Sequence, residues 1–180
     1  DKSLLIIVDT QNKDILESTE LYEKAKQVVV IDHHRKVVNY VDNAVIFHHE
    51  PYASSASEMV AELIQYFSGI EKLSSYYADA MLSGIALDTK NFIMRTGVRT
   101  FEAAAFLRKL GADTVAVKKL FSNSAEVYKK RAELIANSEI YKGCAIAVTS
   151  DECRDIRIIA AQAADEMLSI QGVSASFTIY

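Results

Sequence analysis

Val28-Val29-Val30-Ile31-Asp32-His33-His34-Arg35 is the stretch that decides how the chain is read. A short, continuous run of β-branched residues ending at a carboxylate is the pattern of a strand buried on both faces. Leu4-Leu5-Ile6-Ile7-Val8, ending at Asp9, shows the same pattern upstream. Between the two runs, residues 20–27 have helix-forming composition, so the first third reads as strand, helix, strand. That is a parallel βαβ unit. Residues 44–47 supply a third strand, and the expected class is α/β, a parallel sheet with helices on both faces.

Working outward, Ser55-Ala56-Ser57-Glu58 has the form of a helix capping box. Behind it Met59, Val60, Leu63, Ile64 and Phe67 fall on one helical face. Further helices are expected over 74–87, over 99–110 with Gly111 as the C-terminal cap, from Asp113, and over 124–137. Then the pattern changes. Residues 141–149 read as one strand, Ile156, Ile159, Ala160, Ala163 and Met167 mark an amphipathic helix, and 174–180 read as a closing strand. The expected organisation is a parallel-sheet domain over 1–112, a helical linker over 113–138, and a truncated smaller α/β domain over 139–180.

With 50% hydrophobic and 24% charged residues, one proline and six glycines, the 180-residue chain has a globular composition. A net charge of −4 argues against long nucleic acid as a partner, since that needs a basic surface to displace counterions. Cys144 and Cys153 match no zinc or redox motif. No apolar run approaches the ~20 residues that span a bilayer, so no membrane contact is expected of this segment. The chain opens at Asp1 directly before a strand-like run and stops within another, as an excised piece of a longer protein would.

The chemistry gathers at three acids. Asp9 and Asp32 each follow a strand, and ligands of open α/β sheets bind at the carboxyl ends of strands. Asp88 ends a helix, where the macrodipole disfavours an anion by roughly 0.3–1 kcal/mol. A metal cation would compensate it. His33 and His34 beside Asp32 make a mixed imidazole and carboxylate set, suited to divalent manganese, zinc or iron. Two such ions clamp the attacking and leaving oxygens of a phosphoryl displacement. Singly, a strand-end aspartate is more often a turn residue, and a histidine pair is often only surface. Arg95 is a candidate phosphate contact and Arg99 a weaker one. His48 and His49 lack a strand-end acid of their own, Glu58 reads as a capping residue, and 129–131 reads as an exposed helix face.

Val8-Asp9-Thr10, Ile31-Asp32-His33-His34-Arg35 and Gly84-Ile85-Ala86-Leu87-Asp88-Thr89 resemble the second, third and fourth motifs of the DHH phosphoesterase superfamily, in order. Glu50-Pro51-Tyr52-Ala53-Ser54-Ser55, Asn91-Phe92 and Arg95-Thr96 extend the likeness over essentially the whole chain. Within the superfamily it is similar to the bacterial membrane-anchored cyclic-di-AMP phosphodiesterases. The resemblance implies two manganese ions, with Asp9 bridging both and His33 and Asp88 binding one. It also implies that Asp32 orients a histidine, that His34 faces the scissile phosphate, and that Arg35 contacts phosphate. A cyclic dinucleotide would be the substrate, at the cytoplasmic face of a membrane-anchored parent protein. A homodimer is left open.

The departures from the family pattern are specific. Its first motif, His-x-x-x-Asp-x-Asp, and the glycine-rich GGGH motif of the associated substrate domain have no counterpart here. Gln11-Asn12 replaces the expected His or Arg. The second metal would keep only Asp9, so weak or no hydrolysis is expected of this piece alone. An oligoribonuclease or 3′-phosphoadenosine-5′-phosphate phosphatase of the same superfamily is the nearest alternative. A family II pyrophosphatase and a non-catalytic nucleotide-binding module stand further off.

Overall fold

The computed structural model describes residues 3–180, the Glu71 side chain excepted. It divides into two compact units, the first ending at Phe121 and the second beginning at Ser122. In the first, β1 (Leu4–Val8), β2 (Gln27–Asp32) and β3 (Ile46–His49) form a parallel sheet in the order β1-β2-β3. A short helix, α1 (Thr19–Lys24), capped by the Ser18 hydroxyl, lies between β1 and β2 and completes the βαβ unit. β3 falls two residues later than its apolar run suggests. Its ladder follows β2 to the end, pairing Asp32 with His49.

One face of this sheet packs Ile7, Val28 and Val30 with Val41, Leu16, Tyr22 and Phe47. Burial on both faces does not hold for β1, an edge of the described sheet. Leu4, Ile6 and Val8 are each about half exposed, at 51%, 54% and 51%. A continuous apolar run does not distinguish an edge strand from a central one.

Helix α2 (Ala56–Ile64) begins as the capping pattern requires, the Ser55 hydroxyl accepting from the Glu58 N–H at 3.0 Å. The Glu58 carboxylate does not complete the box. It is buried and accepts instead from the Ser54 hydroxyl at 2.5 Å. Phe67 lies beyond the end of the helix and is exposed, so the expected apolar face stops at Ile64. Three more helices follow, α3 (Ser75–Asp88), α4 (Val98–Lys109) and α5 (Thr114–Leu120). They close around Ala61, Ala78, Leu82, Ile85, Ala103 and Leu107. Small residues let these helices approach closely, and Gly84 is the tightest case. A Cβ there would stand 2.2 Å from Ser57 Oγ and 3.1 Å from Ser57 Cβ. Gly111 ends α4 as expected, at φ +100°. Its N–H donates to the Arg108 carbonyl and that of Ala112 to the Leu107 carbonyl.

The second unit contains α6 (Ala125–Ala136), β4 (Glu139–Tyr141), β5 (Cys144–Val148), α7 (Ile156–Met167) and β6 (Ala175–Ile179). The single strand expected over 141–149 is a hairpin of β4 and β5. Lys142 and Gly143 turn it with φ of +49° and +80°. β6 pairs parallel to β5, and α7 buries Ile159, Ala160, Ala163 and Met167. The 113–138 stretch is divided between the units. α5 packs on α3 in the first, and α6 packs on α7 in the second. Among the described residues, no helix is long and apolar enough to cross a membrane.

Candidate metal centre

The carboxyl end of the sheet brings Asp9, His33 and Asp88 together. Asp9 follows β1 in the left-handed region, φ +63°, with its N–H donating to the Ile31 carbonyl at 3.0 Å. Aspartate is among the few side chains that visit this region readily. His33 follows β2 and is buried. Its Nδ1 lies 3.3 Å from the Ala53 carbonyl. A carbonyl only accepts, so Nδ1 carries a hydrogen, and in the neutral ring, the form that binds a metal, Nε2 keeps its lone pair. That Nε2 stands 3.4 Å from Asp9 Oδ1 and 3.6 Å from Asp88 Oδ2, buried and without a hydrogen-bond partner among the described residues.

A lone pair facing two carboxylates is unfavourable unless a cation lies between them. Both separations are long for a hydrogen bond. They suit co-ligands, since donors about 2.1 Å from one ion and near 100° apart stand roughly 3.2 Å from each other. The backbone carbonyl behind Nδ1 is the usual partner of a metal-bound histidine. Asp88 is the last residue of α3. Burial and the facing Asp9 carboxylate push its carboxyl above the ordinary range, against the pull of His33, His34 and Arg95. The donor types and the two separations from His33 Nε2 fit a divalent ion beside His33, with Asp9 and Asp88 as the carboxylates that face it.

His34 is placed differently. Asp32, fully buried, uses one oxygen, Oδ1, to accept from the His34 N–H at 3.2 Å and from Nδ1 at 2.8 Å. Asp9, His33 and His34 each bring a ligand atom within 4.8 Å of the others. The Nδ1 of His34 is already engaged by Asp32, and the ring is about half exposed beside a cleft.

That cleft, about 1060 Å³, is lined by His33, His34, Arg35, Tyr52, Arg95 and Thr96 among others. Arg35 and Arg95 thus share one cavity with the two histidines. Arg95 has φ +52° and follows three consecutive left-handed residues, Lys90, Asn91 and Phe92. Thr89 fastens this turn. Its hydroxyl accepts from the Phe92 N–H, and its carbonyl accepts from Ile93 and Met94. Arg99, weighed above as a phosphate contact, is instead occupied by acids. Its Nε and Nη2 reach Glu62 at 2.7 and 2.6 Å, and Nη1 reaches Glu50 at 2.6 Å. Glu62 first, then Glu50, raise its guanidinium pKa.

Two residues close to the site escape sequence reasoning. Gln11 is buried, and its Nε2 reaches the His34 carbonyl at 3.2 Å. His49, at the end of β3, places Nε2 2.6 Å from the same oxygen. The only signals in the sequence are the departure from the family pattern at Gln11 and a histidine pair directly after an apolar run.

Residues 1–85 match the DHH family, N-terminal domain. The chain is 46% identical over 180 residues to the cyclic-di-AMP phosphodiesterase PdeA of Listeria monocytogenes serotype 1/2a (strain 10403S), covering 99% of this chain and 27% of that protein. It is 45% identical over 178 residues to the cyclic-di-AMP phosphodiesterase GdpP of Geobacillus thermodenitrificans (strain NG80-2), covering 98% of this chain and 27% of that protein. The chain therefore spans 27% of the length of these relatives. In fold it resembles an exopolyphosphatase-related protein from Bacteroides fragilis, with a TM-score of 0.80 and 21% identity over 94% of this chain and 52% of that one. The likeness to the DHH family, N-terminal domain thus covers residues 1–85, and the likeness to these phosphodiesterases runs over the whole chain.

Proposed function

We propose that the chain is part of the catalytic module of a metal-dependent phosphodiesterase that hydrolyses cyclic di-AMP to linear pApA with two manganese ions. The observation that carries this reading is the buried His33 Nε2, which has no hydrogen-bond partner among the described residues and faces the carboxylates of Asp9 and Asp88. The likeness to proteins named for that reaction supports the substrate.

In this reading Asp9, His33 and Asp88 hold one ion, and Asp9 also reaches the second. Bound divalent metal would supply a water acidic enough to ionise near neutral pH and a positive charge against the phosphate oxygens. The rest falls to the chain's own side chains. Asp32 fixes the His34 ring through Nδ1, which presents Nε2 to the cleft. Arg35 and Arg95 neutralise the bridging phosphate and hold it for in-line attack. The bond formed joins the water oxygen to phosphorus. The bond broken joins phosphorus to the 3′ oxygen, which leaves as a hydroxyl after taking up the proton that the water gives up. His34 Nε2, unprotonated while Asp32 holds the Nδ1 hydrogen, can accept and pass on that proton. Of the two metal positions, one draws three side chains of the described residues and the other Asp9 alone. The 180-residue chain should therefore turn over far more slowly than its parent protein, which we place at the cytoplasmic face of a membrane.

The test is manganese-dependent turnover by the parent protein, with cyclic di-AMP compared against 3′-phosphoadenosine-5′-phosphate, short oligoribonucleotides and pyrophosphate. Preference for any of the last three would replace the substrate. Binding without turnover under every metal condition would leave a nucleotide-binding module.

A further inference from the structure

We propose that Gln11 and His49 form a two-donor clamp on the His34 main-chain carbonyl, and that this clamp positions the His34 ring and Arg35 at the phosphate. The inference rests on the reading of His34 as the phosphate-facing group.

The geometry fixes which atoms donate. The His34 oxygen can only accept, so the nitrogen of His49 2.6 Å away carries its hydrogen on Nε2. The Gln11 carboxamide must turn Nε2 to the same oxygen, at 3.2 Å, because the flipped amide would set oxygen against oxygen. The two nitrogens stand 3.2 Å apart as neighbouring donors to one acceptor. Gln11 Oε1 is left buried with no hydrogen-bond partner among the described residues. The amide is thus spent on this contact alone.

Both donors come from rigid supports. The Gln11 carbonyl accepts from the Val41 N–H at 2.8 Å, and Asn12 bridges to Tyr40. His49 ends β3 in register with Asp32, and its ring lies against that of Phe47. His34 is then held from two sides. Asp32 takes its N–H and its ring nitrogen, and the clamp takes its carbonyl. With both ends of the residue tied, the peptide plane between His34 and Arg35 cannot rotate. That plane sets the direction in which both side chains leave the backbone. Neither Gln11 nor His49 lines the cleft, so they act through His34 as positioning residues.

His34-Arg35 is the only His-Arg step in the chain. Protein labelled with 1-13C-histidine and 15N-arginine therefore gives one carbonyl-to-nitrogen cross-peak, from this peptide. His49→Phe, which keeps the ring volume, and Gln11→Ala should each move the His34 carbonyl resonance upfield. His49→Gln, which returns a donor, should move it back. In the parent protein, His49→Phe should lower kcat by about 10- to 100-fold while KM and manganese affinity hold, and His49→Gln should recover most of the loss. A cross-peak unmoved by both Phe and Ala variants overturns the clamp. A moved cross-peak with unchanged kcat overturns its positioning role. Absence of any turnover by wild-type parent protein strikes the hydrolase reading instead, while the cross-peak still decides the clamp.

Discussion

Asp32→Asn separates two accounts of how His34 is oriented. Asp32 is fully buried, and one oxygen, Oδ1, accepts from both the His34 N–H at 3.2 Å and the Nδ1–H at 2.8 Å, while Oδ2 has no hydrogen-bond partner among the described residues. An asparagine can turn either its oxygen or its nitrogen toward that pair of donors. The backbone N–H cannot change tautomer, so it holds the oxygen inward and leaves the amide nitrogen where Oδ2 was. His34 then keeps its Nδ1–H tautomer and loses only the charge behind the bond. Charged hydrogen bonds contribute about 1.5–3 kcal/mol and neutral ones about 0.5–1.5, a difference near 1–2 kcal/mol. That corresponds to roughly a 5- to 30-fold fall in kcat. A buried aspartate whose replacement reverses the histidine tautomer costs about 10⁴-fold in the serine-protease case. The measurement is kcat of the parent protein on cyclic di-AMP at saturating manganese, with manganese affinity as the control. A loss beyond about 10³-fold at unchanged manganese affinity would refute the backbone N–H as the deciding anchor.

His33→Ala should weaken manganese binding by more than the ~10- to 100-fold typical of residues behind the ligands, read by titration calorimetry. Retained affinity would remove His33 from the metal set. Gly84→Ala meets Ser57 Cβ at 3.1 Å and should press α3 off α2. Overpacking of about 1–3 kcal/mol is partly offset by the ~1 kcal/mol helix preference of alanine. A modest drop in Tm is expected together with weaker manganese binding, because Asp88 lies one turn along α3, and Ser57→Gly should relieve both. Arg99→Ala should cost only about 0.5–1 kcal/mol, because the guanidinium is 47% exposed and solvent screens the pairs. The arginine holds the Glu50 carboxyl below its ordinary value of 4.5. Its stabilisation is therefore present above that pH and lost as pH falls through the lowered value. The difference in Tm between wild type and variant should narrow on acidification, and a difference that grows would reverse the assignment.

The residues legible in the sequence are those whose place follows from ending a single element. Asp9 and the Asp32-His33-His34 run follow apolar runs that form strands, and Asp88 ends a helix whose start is marked by Ser74. Convergence of Asp9 with the Asp32-His33-His34 run needs only parallel strands with ends on one side of the sheet, and Asp88 needs in addition the packing of α3 on α2. What stayed hidden depends on pairing between elements. β1 reads like a buried strand, yet nothing in Leu4–Val8 records that it lies at an edge. The β4–β5 hairpin uses Lys142 in the left-handed position, where asparagine or aspartate is the stronger signal. Arg99 meets acids 37 and 49 residues away in the chain.

The same division runs through the site itself. The proposed metal-facing groups are set by the ends of two strands and one helix, whereas the groups that aim His34 are set by register. His49 reaches the His34 carbonyl because β3 runs two residues past its apolar run, so that its last residue pairs with Asp32. A slip of one residue would turn the His49 ring to the opposite face of the sheet and take its Nε2 from the carbonyl. Orientation of His34 is then coupled directly to correct pairing of β2 with β3, whereas of the proposed metal ligands only His33 touches the chain just beyond β3, through the Ala53 carbonyl. A substitution that loosens β3 should lower turnover by a larger factor than manganese affinity, so an equal loss of both would place the coupling in the metal set instead.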